Sequence, residues 1–349
     1  MTARLAADGQ KTPFPARRLA LISEPNWDEK VSIVGDDNYA VELTAPDIER
    51  YREGNTGIPY VTTFESGKPG PHVMVNALTH GNEICGAIAL DYLFRAGARP
   101  ARGRLTLSFA NVAAYHSFNP KAPTASRFLD EDFNRLWDTE TLDGPRQSAE
   151  LKRARELRPI VDRADFLLDI HSMQHATAPL MLAGLLDKSL GLARQLGIPE
   201  LIVRDAGHAA GKRMRDYGGF GDAASPKAAL LVECGQHWEK ASADIAIATM
   251  LAFLASVDVM EAAFLAQHRF TKSPQQRVIT VTEAVTITSD RFEFAGDFRG
   301  LEVLSHKGTL IGRDGTREIC TPYDDCVLIM PSRRLTKGQT AVRLGRFTG

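Results

Sequence analysis

The stretch VNALTHGNEICGA, residues 75–87, joins two apolar segments through a turn that contains His80 and Glu83. The apolar run that leads into the turn, HVMVNAL, is short and rich in valine, which is typical of a buried strand. The apolar run after the turn continues to Gly97, a residue that often ends helices, and predicts a helix over residues 84–96. This stretch therefore predicts a strand, a tight turn and a helix, which together form the basic unit of an α/β fold.

The same alternation continues from about Ile58 to Phe270. Four more short apolar runs predict buried strands: RLTLSFANV, FLLDI, ELIVRD and AALLVEC. Between and after them, helices are predicted over residues 150–164 and over a long segment, residues 241–267. Strands that alternate with helices predict an α/β domain in which a largely parallel sheet carries helices on both faces.

The pattern changes after Ser273-Pro274. The segment VITVTEAVTIT is rich in threonine and valine, and turn residues recur after it without any helical pattern. This predicts short antiparallel strands and hence a small all-β domain at the end of the chain. We therefore predict an N-terminal extension or arm over residues 1–45, a catalytic domain over residues 46–272 and a small β-rich domain over residues 273–349.

Composition and charge exclude several classes of function. The 349 residues are 44% hydrophobic and 24% charged, and 42 basic residues nearly balance 43 acidic ones. A net charge near −1 provides neither the basic surface of a nucleic-acid-binding protein nor a polybasic membrane-binding face. The longest apolar run, residues 245–257, is too short to span a bilayer. A small-molecule partner is expected, with no nucleic acid and no membrane.

The N-terminus and the cysteines favour a cytoplasmic protein. The first residues contain no apolar segment of the kind found in secretory signals. The four cysteines form no CxxC pair, so free thiols in a reducing compartment are the simpler expectation. The sequence leaves the oligomeric state open, a homo-oligomer included.

Ionisable residues follow three of the predicted strands. His80 follows VMVNALT, His171 follows FLLDI, and Glu233 ends ALLV. Because ligands of open α/β sheets bind at the carboxyl ends of the strands, these side chains could meet at one point. Simpler explanations exist for these residues and for Glu83. His80 could be a turn residue, His171 could be a polar strand end followed by a capping Ser172, and Glu83 could be favoured by the helix dipole.

The combination points to a metal. Catalytic zinc usually has three protein ligands, often two histidines and one glutamate, with an open fourth position. His80, Glu83 and His171 would supply that set, and Glu233 could serve as a base. The HExxH motif is absent, so a helix-borne metalloprotease site is not indicated.

A second motif, SRFLDEDFNRLWD at residues 126–138, combines basic, acidic and amide side chains with apolar anchors. It could be a solvated loop held by salt bridges. It could also bind an anion, because Arg135 can bind a carboxylate through two nitrogens while Asn134 donates beside it. Arg127 could stabilise a developing oxyanion.

The segments NALTHGNEICG, SRFLDEDFNRLWD, LLDIHS and LLVECG resemble, in order and spacing, the succinylglutamate desuccinylase/aspartoacylase family of zinc carboxypeptidase-like hydrolases. The resemblance covers about residues 60–270. It implies a zinc carboxypeptidase-like fold and one zinc ion per chain, held by His80, Glu83 and His171. It also implies that Glu233 is the general base and that Asp132 orients His80.

The same resemblance assigns the substrate contacts. It implies that Asn134 and Arg135 bind a substrate carboxylate and that Arg127 polarises the scissile carbonyl. Aspartoacylase has a further substrate-binding arginine before its catalytic glutamate, and the matching stretch GDAASPKAA has none. Arg215 and Tyr217, in the glycine-rich stretch upstream, are candidates for a substrate-binding loop.

These expectations define a zinc-dependent amidohydrolase, a deacylase that cleaves the amide of a small N-acetyl or N-succinyl amino acid with metal-activated water. Two alternatives stay open: a zinc carboxypeptidase that acts on peptides, and a non-catalytic metal-binding protein of the same fold. A nucleotide-binding protein is not supported, because neither GxGxxG nor a Walker loop follows a predicted strand. The sequence does not indicate whether the C-terminal domain contributes to the site.

Overall fold

The computed structural model describes residues 39–348 except 208–209, 269 and 274. Most of the predicted N-terminal arm therefore lies outside the described residues. In the described part of that segment, the backbone N–H of Glu42 donates to the carbonyl oxygen of Trp238 at 3.0 Å.

Strands and helices alternate through the first two thirds of the described chain, and short strands follow. The strands are β1 Val61–Glu65, β2 His72–Ala77, β3 Arg104–Phe109, β4 Phe166–Met173, β5 Leu180–Leu182, β6 Leu201–Arg204, β7 Ala228–Gln236, β8 Arg277–Thr286, β9 Phe292–Phe294, β10 Val303–Leu304, β11 Leu310–Asp314, β12 Arg317–Cys320, β13 Cys326–Ile329 and β14 Thr340–Phe347. The helices are α1 Ile84–Arg95, α2 Val112–His116, α3 Thr139–Asp143, α4 Ala149–Arg163, α5 Asp187–Leu196, α6 Lys240–Ser256 and α7 Ala262–Gln267.

The central sheet is mixed and largely parallel at its centre. Within the described residues it contains eleven strands in the order β1-β3-β2-β4-β7-β5-β6-β8-β14-β13-β10. Strands β3, β2, β4 and β7 are mutually parallel, whereas β1 is an antiparallel edge strand and β5 runs antiparallel to β7. All five predicted strands are present, and the sequence pattern missed β1 and β5.

Helices cover both faces of the sheet because the central strands are apolar on both sides. In β2, Val73 and Val75 belong to the core cluster that contains α1 and α6, while Met74 belongs to the cluster that contains α4. Alternate side chains of a strand point to opposite faces, so one short apolar run serves two cores. The predicted α/β class is confirmed.

The prediction of one long helix over residues 241–267 is wrong in one respect, because the structure has two helices there, α6 and α7. Asp258 between them has a positive φ of 50°, a conformation that cannot continue a right-handed helix. Met260 then forms an isolated β-bridge with Pro100. In the part of the chain that the structure describes, none of the helices combines the length and the apolarity needed to cross a membrane.

The C-terminal strands continue the central sheet. β8 pairs in parallel with β6, and β14, β13 and β10 follow it, while β12, β11 and β9 form a separate small antiparallel sheet. A shared apolar cluster, to which Ile279 and Ile329 contribute from one side and Leu182 and Leu231 from the other, joins these strands to β5 and β7. The predicted β-rich end is present. It adds four strands to the central sheet beyond β6.

Candidate metal centre and active site

The turn after β2 presents His80 and Glu83 in a tightly packed setting. Gly81 is required there, because a Cβ at this position would lie 2.4 Å from the carbonyl carbon of Ala114 and 2.5 Å from the carbonyl oxygen of Ser126. Glu83 occupies the N-cap position of α1, but its side chain makes no capping hydrogen bond. Helix capping therefore does not explain the glutamate.

The carboxylate of Glu83 instead contacts two histidines. Its Oε1 lies 2.7 Å from His80 Nδ1, and its Oε2 lies 2.9 Å from His171 Nδ1. The three residues offer ligand atoms that all lie within 4.8 Å of one another, and each residue is at most 3% exposed. The structure thus brings together the three ligands predicted from the sequence, which we call the metal-ligand cluster.

Each histidine of the metal-ligand cluster has a carboxylate at its other ring nitrogen. His80 Nε2 lies 2.9 Å from Asp132 Oδ1, and His171 Nε2 lies 2.8 Å from Asp169 Oδ2. Such carboxylates fix the orientation and tautomer of metal-binding histidines. The contact of Asp132 was expected from the resemblance, whereas Asp169 was missed. The signal for Asp169 is its position two residues before His171, since residues i and i+2 of a strand share a face.

Asp169 is itself held in place by two hydrogen bonds from β2 and the turn that follows it. Its Oδ1 accepts hydrogen bonds from Asn76 Nδ2 and from Thr79 Oγ1, each at 2.8 Å. Both donors belong to β2 or to the turn that carries His80. Asp169 therefore connects the segment that carries His80 to the strand that carries His171.

The protonation states of Glu83 and His171 are set by neighbouring charges. Burial opposes ionisation of Glu83, but the imidazoles of His80 and His171 hold the pKa of this carboxyl well below its usual value. Burial likewise disfavours a charged His171, but the carboxylates of Asp169 and Glu83 raise its pKa well above the ordinary value. The cluster concentrates negative charge at the two imidazoles, which suits a cation.

The donor set fits a divalent metal. Two imidazole Nδ1 atoms and one carboxylate converge, and each opposite Nε2 has a carboxylate partner. Two nitrogen ligands and one oxygen ligand are the chemistry that zinc accepts in catalytic sites. His80, Glu83 and His171 would hold the ion.

Glu233 lies beside the cluster on the neighbouring strand. It is the register partner of His171 in the parallel pair β4–β7. The residue is 7% exposed, and its Oε2 has no hydrogen-bond partner among the described residues. Burial, the largest influence, raises the pKa of Glu233 to about 8. A buried, unpartnered carboxyl oxygen in a cleft is typical of a reactive group.

Arg127 borders the metal-ligand cluster. Its Nη2 donates to Asp132 Oδ2 at 3.1 Å, and its Nη1 lies 3.5 Å from Glu83 Oε1. Asp132 thus holds both this guanidinium and the ring of His80. The structure places Arg127 where a group bound at the metal-ligand cluster would meet a positive charge.

Asn134 and Arg135 lie on a short 3-10 helix, Phe133–Arg135, whose first turn is fixed by Asp132 through the backbone N–H of Asn134. Asn134 Oδ1 accepts a hydrogen bond from the backbone N–H of Met214 at 3.1 Å. The side-chain NH₂ group of Asn134 can therefore donate to a ligand in the cleft. Both side chains line the same cleft as the cluster.

Arg215 and Tyr217, the candidates for a substrate-binding loop, do not line the cleft. Arg215 donates to backbone carbonyls of the sheet at 2.9 and 3.2 Å. Tyr217 packs against Trp137, and its hydroxyl accepts from Arg158 Nε at 2.9 Å. Of this segment, Arg213 lines the cleft instead.

A further cleft residue that sequence reasoning missed is His237. Its Nδ1 lies 2.8 Å from the hydroxyl oxygen of Ser172, the residue after His171. Burial, the largest influence, lowers the pKa of His237 to about 3, so the ring is neutral near pH 7. Its position just past Glu233 at the end of a buried strand was the only available signal.

The cleft has a volume of about 1940 Å³. Its walls include residues of the C-terminal strands and loops, among them Leu301, Met330 and Arg343. The sequence left open whether this part of the chain reaches the site, and the structure shows that it forms one wall of the cleft.

A model of the succinylglutamate desuccinylase/aspartoacylase catalytic domain matches residues 69–257. The chain belongs to this family. The resemblance inferred from the four sequence motifs is thereby confirmed.

One curated relative matches this desuccinylase/aspartoacylase chain over a shorter region. It is an N-acyl-aromatic-L-amino acid amidohydrolase (carboxylate-forming) from Rattus norvegicus, 33% identical over 131 residues. The matched region covers 34% of this chain and only 38% of the rat protein.

Solved structures share the desuccinylase/aspartoacylase fold. Succinylglutamate desuccinylase from Vibrio cholerae matches with a TM-score of 0.63 and 17% identity, over 83% of this chain and 86% of that one. The ectoine utilization protein EutE (DoeB) from Ruegeria pomeroyi matches with a TM-score of 0.57 and 17% identity, over 82% and 88%. At this identity the likeness extends to the fold.

Proposed function

We propose that this protein is a zinc-dependent amidohydrolase that removes the acyl group from a small N-acylated amino acid. The observation that carries the proposal is the convergence of His80, Glu83 and His171 next to the unpartnered carboxyl oxygen of Glu233. Family membership and the name of the rat relative support an amide substrate.

A divalent cation at the metal-ligand cluster would supply Lewis acidity and a source of nucleophilic water at neutral pH. The remaining chemistry belongs to the chain. In its ionised form, which a cation at the metal-ligand cluster would favour, Glu233 accepts a proton from the attacking water through Oε2 and delivers it to the leaving amine.

Arg127 acts on the carbonyl of the scissile amide. Its guanidinium is already fixed by Asp132, so little reorganisation is needed when negative charge develops on the carbonyl oxygen. Removing one such donor typically costs about 2.7–4 kcal/mol in the activation barrier.

Asn134 and Arg135 hold the carboxylate of the substrate. A planar guanidinium binds both carboxylate oxygens, and the Asn134 amide adds a donor at its side. Anchoring this end brings the amide carbonyl toward Glu233 and Arg127 in register for attack.

The cleft volume supports one second candidate. About 1940 Å³ exceeds the roughly 300–1,000 Å³ of typical small-ligand pockets, which leaves room for a peptide. A zinc carboxypeptidase would use the same residues with a longer substrate.

A hydrolysis screen tests the proposal. Zinc-loaded protein is assayed against N-acetyl and N-succinyl amino acids, aromatic ones included, and against peptides with a free carboxyl terminus. We expect cleavage of one N-acyl amino acid class. Cleavage of the peptides alone would favour the carboxypeptidase, and hydrolysis of none of them would contradict both.

Glu233→Gln separates chemistry from metal binding. We expect the variant to keep its zinc and to lose turnover by about 10²–10⁴-fold, the usual contribution of a general acid–base. Glu293→Gln, at a side chain that is 62% exposed, is the matched control and should retain wild-type activity. Wild-type turnover in Glu233→Gln would remove Glu233 from the mechanism.

A further inference from the structure

His237 is a cleft residue that the proposed mechanism does not use. It lies just past the end of β7, the strand that carries Glu233, and it lines the same cleft. The residue is only 2% exposed. A buried histidine can serve packing alone, so the contacts of its two ring nitrogens determine whether it is also available to a ligand.

The segment that carries His237 is attached to both parts of the metal-ligand cluster. The backbone N–H of His237 donates to the carbonyl oxygen of Met173 at 2.8 Å, and its Nδ1 lies 2.8 Å from Ser172 Oγ. The next residue, Trp238, donates from Nε1 to the carbonyl oxygen of Asn82 at 3.2 Å, in the turn that carries two of the metal ligands. The imidazole is therefore held in a fixed position beside the cluster.

The second ring nitrogen, Nε2, has no hydrogen-bond partner in the part of the chain that the structure describes. Among the same residues, the hydroxyl of Ser172 has no acceptor other than His237 Nδ1, so the hydroxyl donates to Nδ1. Because the low pKa of His237 keeps the ring neutral near pH 7, its single proton is then on Nε2. A buried N–H donor without a protein acceptor, in a residue that lines a cleft, is typical of a ligand contact.

His237 and the carboxylate-binding residue Asn134 lie toward opposite faces of the central sheet. Trp238, next to His237, packs in the core that contains α1 and α6. Phe133, which precedes Asn134, and Met214, which donates to it, pack in the core that contains α4. The metal-ligand cluster lies at the ends of the strands between these two cores. A substrate with its carboxylate at Asn134 and its amide carbonyl at the cluster therefore extends its acyl group toward His237.

We propose that His237 donates a hydrogen bond from Nε2 to an oxygen of the acyl group, so that it is a specificity-determining residue of the active site. This inference rests on the proposed function, and it names a class of acyl groups: those that carry an oxygen acceptor beyond the scissile amide. An apolar acyl group of the same shape would leave the buried donor unpaired, which disfavours its binding.

The test compares two substrates of equal shape and charge. N-succinamoyl-L-phenylalanine ends its acyl group in a carboxamide, and N-(4-methylpentanoyl)-L-phenylalanine has an isopropyl group in that place. His237→Phe removes both ring nitrogens, whereas His237→Gln keeps an N–H donor near the position of Nε2. His306→Phe makes the same change at an exposed histidine and is the matched control. Thermal unfolding of each variant establishes that it is folded.

The measured quantity is the ratio of kcat/KM for the succinamoyl substrate to kcat/KM for the 4-methylpentanoyl substrate, with zinc-loaded protein. We expect this ratio to fall about 10-fold in His237→Phe, mainly through KM of the succinamoyl substrate. His237→Gln should lie between His237→Phe and wild type, and His306→Phe should match wild type. An unchanged ratio in His237→Phe, even if both substrates are hydrolysed more slowly, would mean that the residue is structural and would overturn the inference.

Binding is measured separately from turnover. Titration calorimetry of both ligands is performed on Glu233→Gln and on the double variant with His237→Phe. We expect the double variant to bind the succinamoyl ligand about 10-fold more weakly and the 4-methylpentanoyl ligand at least as tightly. If the wild type hydrolyses neither ligand but the affinities change in this way, the proposed function fails while this inference stands. Equal losses for both ligands, no loss for either, or no binding of either overturns the inference.

Discussion

Two groups of ionisable residues use their polar atoms differently. One is the metal-ligand cluster of His80, Glu83 and His171, and the other consists of the buried pair Asp205 and Arg213 with the partly exposed Asp216. In the metal-ligand cluster both imidazoles contact one carboxylate. In the second set, which we call the salt-bridge cluster, three nitrogens of one guanidinium each meet a carboxylate oxygen.

This difference indicates that the salt-bridge cluster serves stability, whereas the metal-ligand cluster serves the binding of a cation. The salt-bridge cluster is closed, because Arg213 is satisfied by protein groups at each of those nitrogens. The metal-ligand cluster concentrates donors that suit a cation and is supported by carboxylates on its outer side. We expect substitutions in the salt-bridge cluster to change the free energy of unfolding, and substitutions around the metal-ligand cluster to change metal affinity.

Asp205→Ala should have the largest effect on stability. It leaves the buried guanidinium of Arg213 without its bidentate partner, and breaking a buried ion pair from one side typically costs about 3–5 kcal/mol. Urea unfolding measures the change. Asp205→Asn, which keeps one oxygen acceptor, should lose less. A loss below that of an exposed pair such as Arg313–Glu318 would contradict the structural role.

Asp169→Asn should weaken zinc binding about 10–100-fold, the usual cost of losing a carboxylate behind a metal-binding histidine. The new amide can donate to His171 Nε2, which would favour a proton on Nδ1, the atom that faces the metal-ligand cluster. Competition with a chelator measures the affinity.

Asp165→Asn is the control for Asp169→Asn. Asp165 directly precedes β4, the strand that contains Asp169. Asp165 accepts from the backbone N–H of His72 at 2.8 Å, away from the metal-ligand cluster. Zinc affinity should not change in this variant. If Asp169→Asn also bound zinc normally, the outer carboxylate would not orient His171.

The smallest expected effect is on the way the free energy of unfolding changes with pH under acidic conditions. Burial opposes ionisation of Asp205, but Arg213 holds the pKa of this carboxyl below its usual value. Its contribution is therefore complete above the unfolded pKa of about 3.9 and is lost as the pH falls below it toward the folded value. Between about pH 5 and pH 3, unfolding free energy should fall more steeply in wild type than in Asp205→Asn. Parallel curves would contradict this coupling.

Much of the fold was predictable because the central strands are continuous apolar runs. β2, β4 and β7 are buried along nearly their whole length, so composition alone distinguishes them. β5 escaped prediction because three residues are too few to form a pattern. The break between α6 and α7 depends on the backbone of Asp258 and on a bridge to Pro100, which periodicity does not encode.

The candidate site was predictable where it follows those strands. His80, His171 and Glu233 each come directly after or within an apolar run, and adjacent parallel strands bring their ends together. Arg343 could not be predicted, because β14 reaches the cleft only through the pairing of β8 with β6, far along the chain. Arg215 is predicted to lie in a substrate-binding loop. In the structure it is buried away from the cleft, and its guanidinium donates to the backbone carbonyl oxygens of Ala183 and Ala229.

The metal content of the purified protein tests the central claim most directly. Wild-type protein and His171→Ala are equilibrated with zinc, freed of unbound metal and analysed for zinc per chain by mass spectrometry. We predict one zinc ion per wild-type chain and a large loss in His171→Ala, because two remaining ligands cannot form a three-ligand site. Wild-type protein without zinc, or His171→Ala with a full equivalent, would contradict the account.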